Sequence, residues 1–246
     1  MIIGASLKTY FSHARTLTWV SAVAAILDDH PARDRVTAFV APQFPSIPGA
    51  LELAGRLAVG AQDIAVHDVG AYTGEVSGAV LAELGCRYAE VGHAERRRMF
   101  GETETVVSAK THAALRNGLI PVVCVGEDDE AGIDAAIATC ADQVRSALAD
   151  ADDAGVRGAV VVAYEPLWAI GAPAPATPDH IRAVCSGLRA QSGIVDREVS
   201  IIYGGSAGPG LLSQISDDVD GLFLGRFAHD PRAVRDILDE VDALSG

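Results

Sequence analysis

The sequence predicts an α/β fold of the (β/α)8 barrel type, because eight short runs rich in Val, Ile and Ala alternate with longer stretches of helical character. These runs are apolar at successive positions, as is typical of parallel strands covered by helices. The predicted strands span residues 2–7, 36–41, 57–62, 87–92, 119–126, 158–165, 199–204 and 220–225. An open doubly wound sheet is the alternative. That fold usually has a glycine cluster after its first strand, where this chain has Ser6-Leu7-Lys8-Thr9.

The stretches between the strands have the patterns and terminal signals of helices. Gly118 follows one of them, as a glycine often follows the end of a helix, and Thr177 precedes Pro178 as an N-cap followed by a first-turn proline. Helices are predicted at residues 14–29, 104–117, 130–151, 177–190 and 232–244, with shorter ones at 46–55 and 77–84. No linker rich in Pro, Gly or Ser interrupts the chain, so we expect a single domain over residues 1–246.

Charge and composition argue against several classes of partner. The chain has 33 acidic and 19 basic residues and a formal net charge of −14, which disfavours nucleic acid and anionic membrane surfaces. A small phosphorylated ligand is compatible with this charge, because backbone N–H groups can hold a phosphate. The N-terminal segment has no basic region and no long apolar region, so we expect no signal peptide. The four cysteines lack zinc-ligand spacing and C-x-x-C pairs, and we expect reduced thiols and a cytoplasmic location.

Three residues at predicted strand ends could carry chemistry, since the active sites of such barrels lie at the carboxyl ends of the strands. Lys8 is either a solvated loop lysine or a group that binds an anionic substrate or an oxyanion. His93 is either a capping or core histidine or a neutral imidazole that donates to a carbonyl oxygen. Glu165 precedes a short apolar loop that could fold over a ligand, and the resulting desolvation would suit a general base.

Two glycine turns mark a candidate phosphate site. Gly204-Gly205-Ser206 follows the seventh predicted strand and Gly225-Arg226 follows the eighth, in the two loops where this fold usually binds phosphate. Glu95 stands next to three arginines, which either form a solvated charged face or leave Glu95 to pair with Lys8.

Together these residues indicate a reaction class. A carboxylate base, a neutral electrophile and a phosphate site suit the abstraction of a proton next to a carbonyl group, through an enediolate. This is the chemistry of aldose–ketose isomerisation of a small phosphorylated sugar, and it needs no cofactor. The sequence contains no metal-ligand cluster that would indicate a metal site.

Five motifs resemble those of triosephosphate isomerases, and the resemblance runs along the whole chain. The motifs are GAYTGEVSG at 70–78, GHAERRRMFGET at 92–103, PVVCVGE at 121–127, AYEPLWAIG at 163–171 and IIYGGS at 201–206. The resemblance implies a TIM barrel that uses no cofactor and no metal. It also implies that Glu165 is the base that moves a proton between adjacent carbons, His93 the neutral electrophile and Lys8 the cation near the substrate oxygens.

The same resemblance implies how the phosphate and a second subunit are bound. Backbone N–H groups of Gly171, Ser206 and Gly225 are expected to hold the phosphate, and residues 166–176 to form a lid. Residues 70–78 are expected to form a homodimer, in which Thr73 of one subunit lies near Lys8 of the other.

Several departures from the family pattern affect substrate contacts. Asn-Trp-Lys in the family is Ser6-Leu7-Lys8 here, so a shorter hydroxyl replaces a substrate-holding amide. Gly-Gly after the last strand is Gly225-Arg226, which adds a cation that we expect to bind the phosphate. The lid hinge, usually Lys-Thr-Ala, reads Ala-Pro-Ala at 174–176, and proline would stiffen it. The proposed catalytic residues are retained, so the pattern indicates the same chemistry with altered recognition.

The residues leave more than one function open. The first is isomerisation of glyceraldehyde 3-phosphate and dihydroxyacetone phosphate, and the second is isomerisation of a four-carbon erythrulose phosphate, as in similar isomerases of sugar-alcohol catabolism. A non-catalytic phosphate-binding barrel is a third possibility, which the retention of three catalytic residue types at separate strand ends argues against. A phosphate-binding barrel enzyme of amino-acid biosynthesis would need a different catalytic set.

Overall fold

Eight parallel strands close into a barrel in the computed structural model, which describes residues 1–130, 132–191 and 197–244. Each strand pairs with its neighbours in chain order, and the last strand pairs with the first. The strands are β1 (Ile2–Ser6), β2 (Thr37–Ala41), β3 (Ala58–Ala61), β4 (Tyr88–Val91), β5 (Ile120–Val125), β6 (Val160–Tyr164), β7 (Val199–Tyr203) and β8 (Gly221–Leu224). The (β/α)8 barrel predicted from the sequence is confirmed, and the alternative of an open doubly wound sheet is wrong.

Helices surround the barrel. They are α1 (His13–Asp29), α2 (Ile47–Leu53), α3 (Gly78–Leu84), α4 (Ala94–Phe100), α5 (Glu104–Arg116), α6 (Ile133–Asp153), α7 (Pro178–Gln191), α8 (Leu212–Ile215) and α9 (Pro231–Ala243). Short 3-10 turns occur at Pro31–Asp34, Phe44–Ser46, Leu167–Ala169 and Arg226–His229. In the described residues, none of these helices combines the length and the apolar character that crossing a bilayer requires.

Local signals position most helix ends. The Thr177 hydroxyl accepts a hydrogen bond from the backbone N–H of His180 at 3.3 Å, as expected for an N-cap. Gly118 has a φ of +75°, the left-handed conformation that commonly follows a helix. The helix predicted at 130–151 instead begins at Ile133, because Gly132 is in an extended conformation and acts as its N-cap, and residue 131 lies outside the described residues. The four-residue α8 carried no periodic signal and was not predicted.

Two apolar layers stabilise the fold. The larger one lies between the barrel and the helices and includes the outward-facing residues Ile3 and Ala5 of β1 and Ala89 and Val91 of β4. The smaller one fills the barrel interior and consists of Phe39, Tyr88, Val122, Cys124, Val161, Ala163, Ile202 and Phe223. Because side chains alternate along a strand, the residues between the outward-facing ones point into the barrel. Ser6 and Glu90 are therefore interior positions near the carboxyl-terminal rim.

The aromatic packing inside the barrel depends on a glycine in β1. Gly4 is the register partner of Phe39 on one side and of Phe223 on the other. The Phe39 ring stacks on Tyr88 with centroids 4.3 Å apart and on Phe223 at 5.8 Å. A Cβ atom at Gly4 would overlap the Phe39 ring and lie 2.8 Å from the Phe223 ring. The absence of a side chain at this position therefore makes room for the rings.

We predict that Gly4→Ala lowers the free energy of unfolding by about 1–3 kcal/mol, the usual cost of overpacking a close-packed interior. Gly132→Ala is the control, because Gly132 has a φ of −63° and a Cβ there would meet no atom within 4 Å. Urea-induced unfolding of the two variants measures the difference. Equal losses in both variants would contradict the packing described here.

Candidate active site

The three residues predicted at strand ends lie together at the carboxyl-terminal rim. Lys8 and His93 each stand two residues beyond their strands, β1 and β4, and Glu165 directly follows β6. Lys8 Nζ lies 3.1 Å from His93 Nε2, and Glu165 Oε2 lies 3.7 Å from the same nitrogen. All three line a cavity of about 700 Å³. In the described residues, no group of three or more His, Cys, Asp or Glu side chains is arranged to hold a metal ion.

Lys8 is held in an uncommon backbone conformation. Its φ is +47°, a region that side chains other than glycine rarely adopt and that is enriched at functional sites. Gln62, which the sequence did not single out, donates a hydrogen bond from Nε2 to the Lys8 carbonyl oxygen at 2.9 Å. Lys8 Nζ donates to Glu95 Oε1 at 2.8 Å. Burial lowers the pKa of Lys8, but the hydrogen bond to Glu95 and the charges of nearby carboxylates outweigh it, and the net pKa is raised.

His93 is the N-cap of α4, and its ring is oriented by that helix. Its Nδ1 accepts a hydrogen bond from the backbone N–H of Glu95 at 3.1 Å. A ring nitrogen that accepts carries no proton, so the neutral ring has its proton on Nε2. Lys8 Nζ and His93 Nε2–H are then two donors side by side, 3.1 Å apart. A substrate oxygen within hydrogen-bond distance of both nitrogens would accept from both.

Glu165 presents an unpaired carboxylate oxygen at the rim. Its Oε2 is buried and has no hydrogen-bond partner in the described part of the chain. Two glycines leave space for this residue. A Cβ at Gly204 would lie 2.5 Å from Glu165 Oε1, and one at Gly126 would overlap the Glu165 carbonyl oxygen. The glycines therefore leave room for the carboxylate, and one of its oxygens stays free to accept a proton from a ligand.

Three residues that line the cavity have backbone N–H groups without a partner in the described part of the chain. The N–H groups of Gly171, Ser206 and Gly225 donate no hydrogen bond to any other described residue. All three residues line the same cavity as Lys8 and Glu165. Unpaired backbone donors in glycine-containing turns are suited to binding an anion such as a phosphate.

Loops after β7 and β8 also hold the lid, residues 166–176. The Ser206 hydroxyl lies 2.8 Å from the carbonyl oxygen of Ala169 and 3.1 Å from that of Ala172, positions from which it donates to the lid. Arg226 Nη2 donates to the carbonyl oxygen of Gly171 at 3.0 Å. The sequence assigned Arg226 to a phosphate contact. In this structure the arginine lines the cavity and connects the eighth loop to the lid.

A buried glutamate that the sequence analysis missed anchors the beginning of the lid. Glu127 Oε1 accepts hydrogen bonds from Trp168 Nε1 at 2.9 Å and from the Tyr164 hydroxyl at 3.1 Å. At the other end of the lid, the backbone N–H of Ala176 donates to the Tyr203 hydroxyl at 3.0 Å. The prolines of the lid therefore lie between two hydrogen-bonded anchors.

Thr73 lies in an exposed loop and not in the cavity. Its neighbour Tyr72 stacks on His67 with ring centroids 4.1 Å apart. Within the described residues of one chain, Thr73 makes no hydrogen bond to Lys8. A single chain therefore does not bring this predicted supporting residue to the site.

A second buried carboxyl group, also missed by the sequence analysis, lies below the rim. Glu90 is 4% exposed, its Oε2 accepts a hydrogen bond from the Ser6 hydroxyl at 2.8 Å, and its Oε1 lies 4.0 Å from His93 Nε2. Burial raises the pKa of the Glu90 carboxyl above its usual value, although His93, Ser6 and Lys8 oppose the shift. The signal was available, because Glu90 is an acid at an inward position of an otherwise apolar strand.

Comparison of the sequence with known proteins identifies the family of this chain. The family model for triosephosphate isomerase matches residues 1–241. The chain belongs to the triosephosphate isomerase family. The resemblance found in the sequence is thereby confirmed, and the protein is an isomerase rather than a non-catalytic barrel.

Individual members of the family differ in their similarity to the chain. An L-erythrulose-1-phosphate isomerase of Pectobacterium atrosepticum is 50% identical, over 100% of this chain and 97% of that protein. A triosephosphate isomerase of Mycobacteroides abscessus is 40% identical, and one of Mycobacterium tuberculosis is 39% identical, each over 91% of this chain and 90% of that protein.

We predict that the titration of Glu90 makes the free energy of unfolding depend on pH. A carboxyl group whose pKa is higher in the folded than in the unfolded chain favours folding at low pH and loses this contribution as pH rises above about 4.3. Glu90→Gln cannot titrate. The free energy of unfolding of wild type should therefore fall relative to that of Glu90→Gln as pH rises from about 4, by at most about 1.4 kcal/mol per pH unit. Urea unfolding of both proteins between pH 4 and 8 measures this, and a difference independent of pH would contradict it.

Proposed function

We propose that this isomerase converts a four-carbon ketose phosphate, L-erythrulose 1-phosphate, into D-erythrulose 4-phosphate by moving the carbonyl group between two adjacent carbons. The observation that carries the reaction type is the convergence of an ammonium donor, an N–H donor and an unpaired carboxylate oxygen around His93 Nε2. The substrate is supported by the 50% identity over the whole chain to an L-erythrulose-1-phosphate isomerase.

The proposed reaction begins with proton transfer to Glu165. The carboxylate removes a proton from the carbon beside the carbonyl group, and the electron pair moves onto the carbonyl oxygen to form an enediolate. Lys8 Nζ and His93 Nε2–H donate to the oxygens that become negative. The O–H proton of the neighbouring hydroxyl group passes through His93 Nε2 to the former carbonyl oxygen. The proton on Glu165 then returns to the former carbonyl carbon, and the former hydroxyl carbon becomes the new carbonyl. Atoms and charge balance without a cofactor.

The phosphate is proposed to bind at the lid side of the cavity. Gly171, Ser206 and Gly225 provide backbone donors that are otherwise unused within the described residues. Arg226 contributes a positive charge beside them. Phosphate binding there would fix one end of the substrate and place its carbonyl carbons beside Glu165. Closing the lid would then remove water from the enediolate.

The alternative substrate is a triose phosphate, which lacks one hydroxymethyl group. Relatives that are 40% and 39% identical to the chain are triosephosphate isomerases. At position 6, where that family has asparagine, this chain has serine, which occupies less space beside the reacting carbons. The smaller side chain and the higher identity to the erythrulose enzyme both favour the four-carbon substrate.

We predict that wild type has a higher kcat/KM for L-erythrulose 1-phosphate than for dihydroxyacetone phosphate. Ser6→Asn should lower the value for the four-carbon substrate by about 10- to 200-fold, the usual effect of a pocket change of this size, and affect the triose less. Ser6→Ala is the matched control, since it removes the hydroxyl without filling the space. A wild-type preference for the triose phosphate would overturn the four-carbon proposal.

We also propose a cytoplasmic homodimer formed through residues 70–78. Val69 is 89% exposed and Tyr72 44% exposed at this loop, and Met99 and Phe100 are exposed at the end of α4. Apolar side chains with this exposure are suited to contact with a second copy. The four cysteines are buried and unpaired, as expected for a reducing compartment.

If the protein is a dimer, light scattering at assay concentration should give a mass in solution of twice that of the chain. Thr73→Arg, which places a charge at the exposed end of the loop, should weaken association and lower kcat/KM together, because the loop is expected to reach the site of the other subunit. Thr18→Arg, at an exposed position of α1, should do neither. A fully active monomeric wild type would contradict the proposal.

A further inference from the structure

We propose that Glu90 binds the hydroxyl group on the fourth carbon of the substrate and thereby selects the length of the carbon chain. This inference rests on the proposed function, because only a four-carbon substrate has that hydroxyl group. It assigns a specificity-determining role to a residue that lies outside the set formed by Lys8, His93 and Glu165.

The Ser6–Glu90 pair spans the barrel interior. Ser6 ends β1 and Glu90 lies in β4, and two strands separate them in the barrel, so their 2.8 Å hydrogen bond crosses the interior. Both side chains stand at inward positions just below the rim, above the aromatic layer of Phe39 and Tyr88. Ser6 also lines the cavity that holds Lys8 and Glu165. Ser6 therefore forms part of the floor of the active site, and Glu90 lies directly against it.

One oxygen of Glu90 remains available. Among the described residues, Ser6 is the hydrogen-bond partner of the Glu90 carboxyl group, and it uses Oε2. The other oxygen, Oε1, lies 4.0 Å from His93 Nε2, which is beyond hydrogen-bond distance. The Glu165 Oε2 atom lies 3.7 Å from the same nitrogen. Glu90 Oε1 and Glu165 Oε2 thus both lie within 4.0 Å of one nitrogen, close to where the reacting carbons are expected.

Burial of the Glu90 carboxyl group without full hydrogen bonding costs free energy, so a further interaction is expected to offset that cost. No lysine or arginine side chain makes a salt bridge with Glu90 in residues 1–130, 132–191 and 197–244. Orientation of His93 does not supply that interaction, since the ring is already fixed through Nδ1 by the backbone N–H of Glu95. A ligand hydroxyl that donates to Oε1 would complete the hydrogen bonding of the group.

The chemistry of the two substrates indicates which hydroxyl this is. A four-carbon ketose phosphate equals dihydroxyacetone phosphate with a hydroxymethyl group added to the carbon farthest from the phosphate. The phosphate is assigned to Gly171, Ser206 and Gly225 on the lid side, and the reacting carbons to Glu165 and His93. The added group must then extend away from the lid, toward the floor where Ser6 and Glu90 lie. An apolar side chain at position 90 would give its hydroxyl no partner.

The test compares substrate preference in wild type and Glu90→Leu, which removes the acceptor at similar volume. We expect the ratio of kcat/KM for L-erythrulose 1-phosphate to that for dihydroxyacetone phosphate to fall on the order of 10²-fold, as when a hydrogen bond to a buried carboxylate is lost. Glu83→Leu, at an exposed position of α3, is the control and should leave the ratio unchanged. An equal fall for both substrates, or no fall for either, would overturn the inference.

A second measurement covers the case in which Glu90→Leu does not fold. Glu90→Gln preserves shape, and calorimetry gives its dissociation constants for erythritol 4-phosphate and glycerol 3-phosphate, which lack a carbonyl group and cannot react. Glutamine keeps one oxygen that can accept a hydrogen bond but lacks the negative charge that strengthens it. The preference for the longer ligand should therefore shrink in the variant, and an unchanged preference would refute the role of the Glu90 carboxylate. If wild type itself prefers the triose phosphate, the proposed function fails. If wild type prefers the tetrulose and the Glu90 variants keep that preference, only the role of Glu90 fails.

Discussion

The active site depends on the charged groups around one nitrogen atom, His93 Nε2. A lysine ammonium lies 3.1 Å from it, the Glu165 carboxylate 3.7 Å and the Glu90 carboxyl 4.0 Å. These groups come from β1, β4 and β6 and can meet only because eight parallel strands close and bring all their carboxyl ends to one rim. The chemistry therefore rests on barrel closure, and the aromatic rings packed around Gly4 help to fill the interior of the closed barrel.

Some charged groups at this rim have a hydrogen-bonded partner and others do not. Lys8 makes a 2.8 Å salt bridge with Glu95. One oxygen each of Glu165 and Glu90 has no hydrogen-bond partner among the described residues. Such groups remain buried only when the surrounding fold stabilises them, and they are common where a ligand supplies the missing contacts. The same site thus contains the Glu165 carboxylate, which is suited to take a proton, and the Glu90 carboxyl group, which is suited to accept a hydrogen bond from a hydroxyl group.

The sequence predicted the parts of the structure that local patterns determine. Strand runs, the cap at Thr177 and the glycine after α5 are encoded within a few residues, and the positions of Lys8, His93 and Glu165 follow from strand ends. The bond between Ser6 and Glu90 joins residues 84 positions apart, and no local pattern shows which inward residues face each other. The contact of Arg226 with Gly171 in the lid and the anchoring of the lid by Glu127 also join residues that are distant in the sequence, so local patterns did not predict them.

One carboxylate, Glu165, is proposed to move a proton between neighbouring carbons of the substrate. The most direct measurement follows the incorporation of deuterium from D2O into L-erythrulose 1-phosphate and its product by NMR, in wild type and Glu165→Gln, with binding of glycerol 3-phosphate measured in parallel. Wild type is expected to exchange protons at the reacting carbons, and Glu165→Gln is expected to bind the ligand but to exchange none. Exchange by Glu165→Gln at the wild-type rate would show that another group is the base.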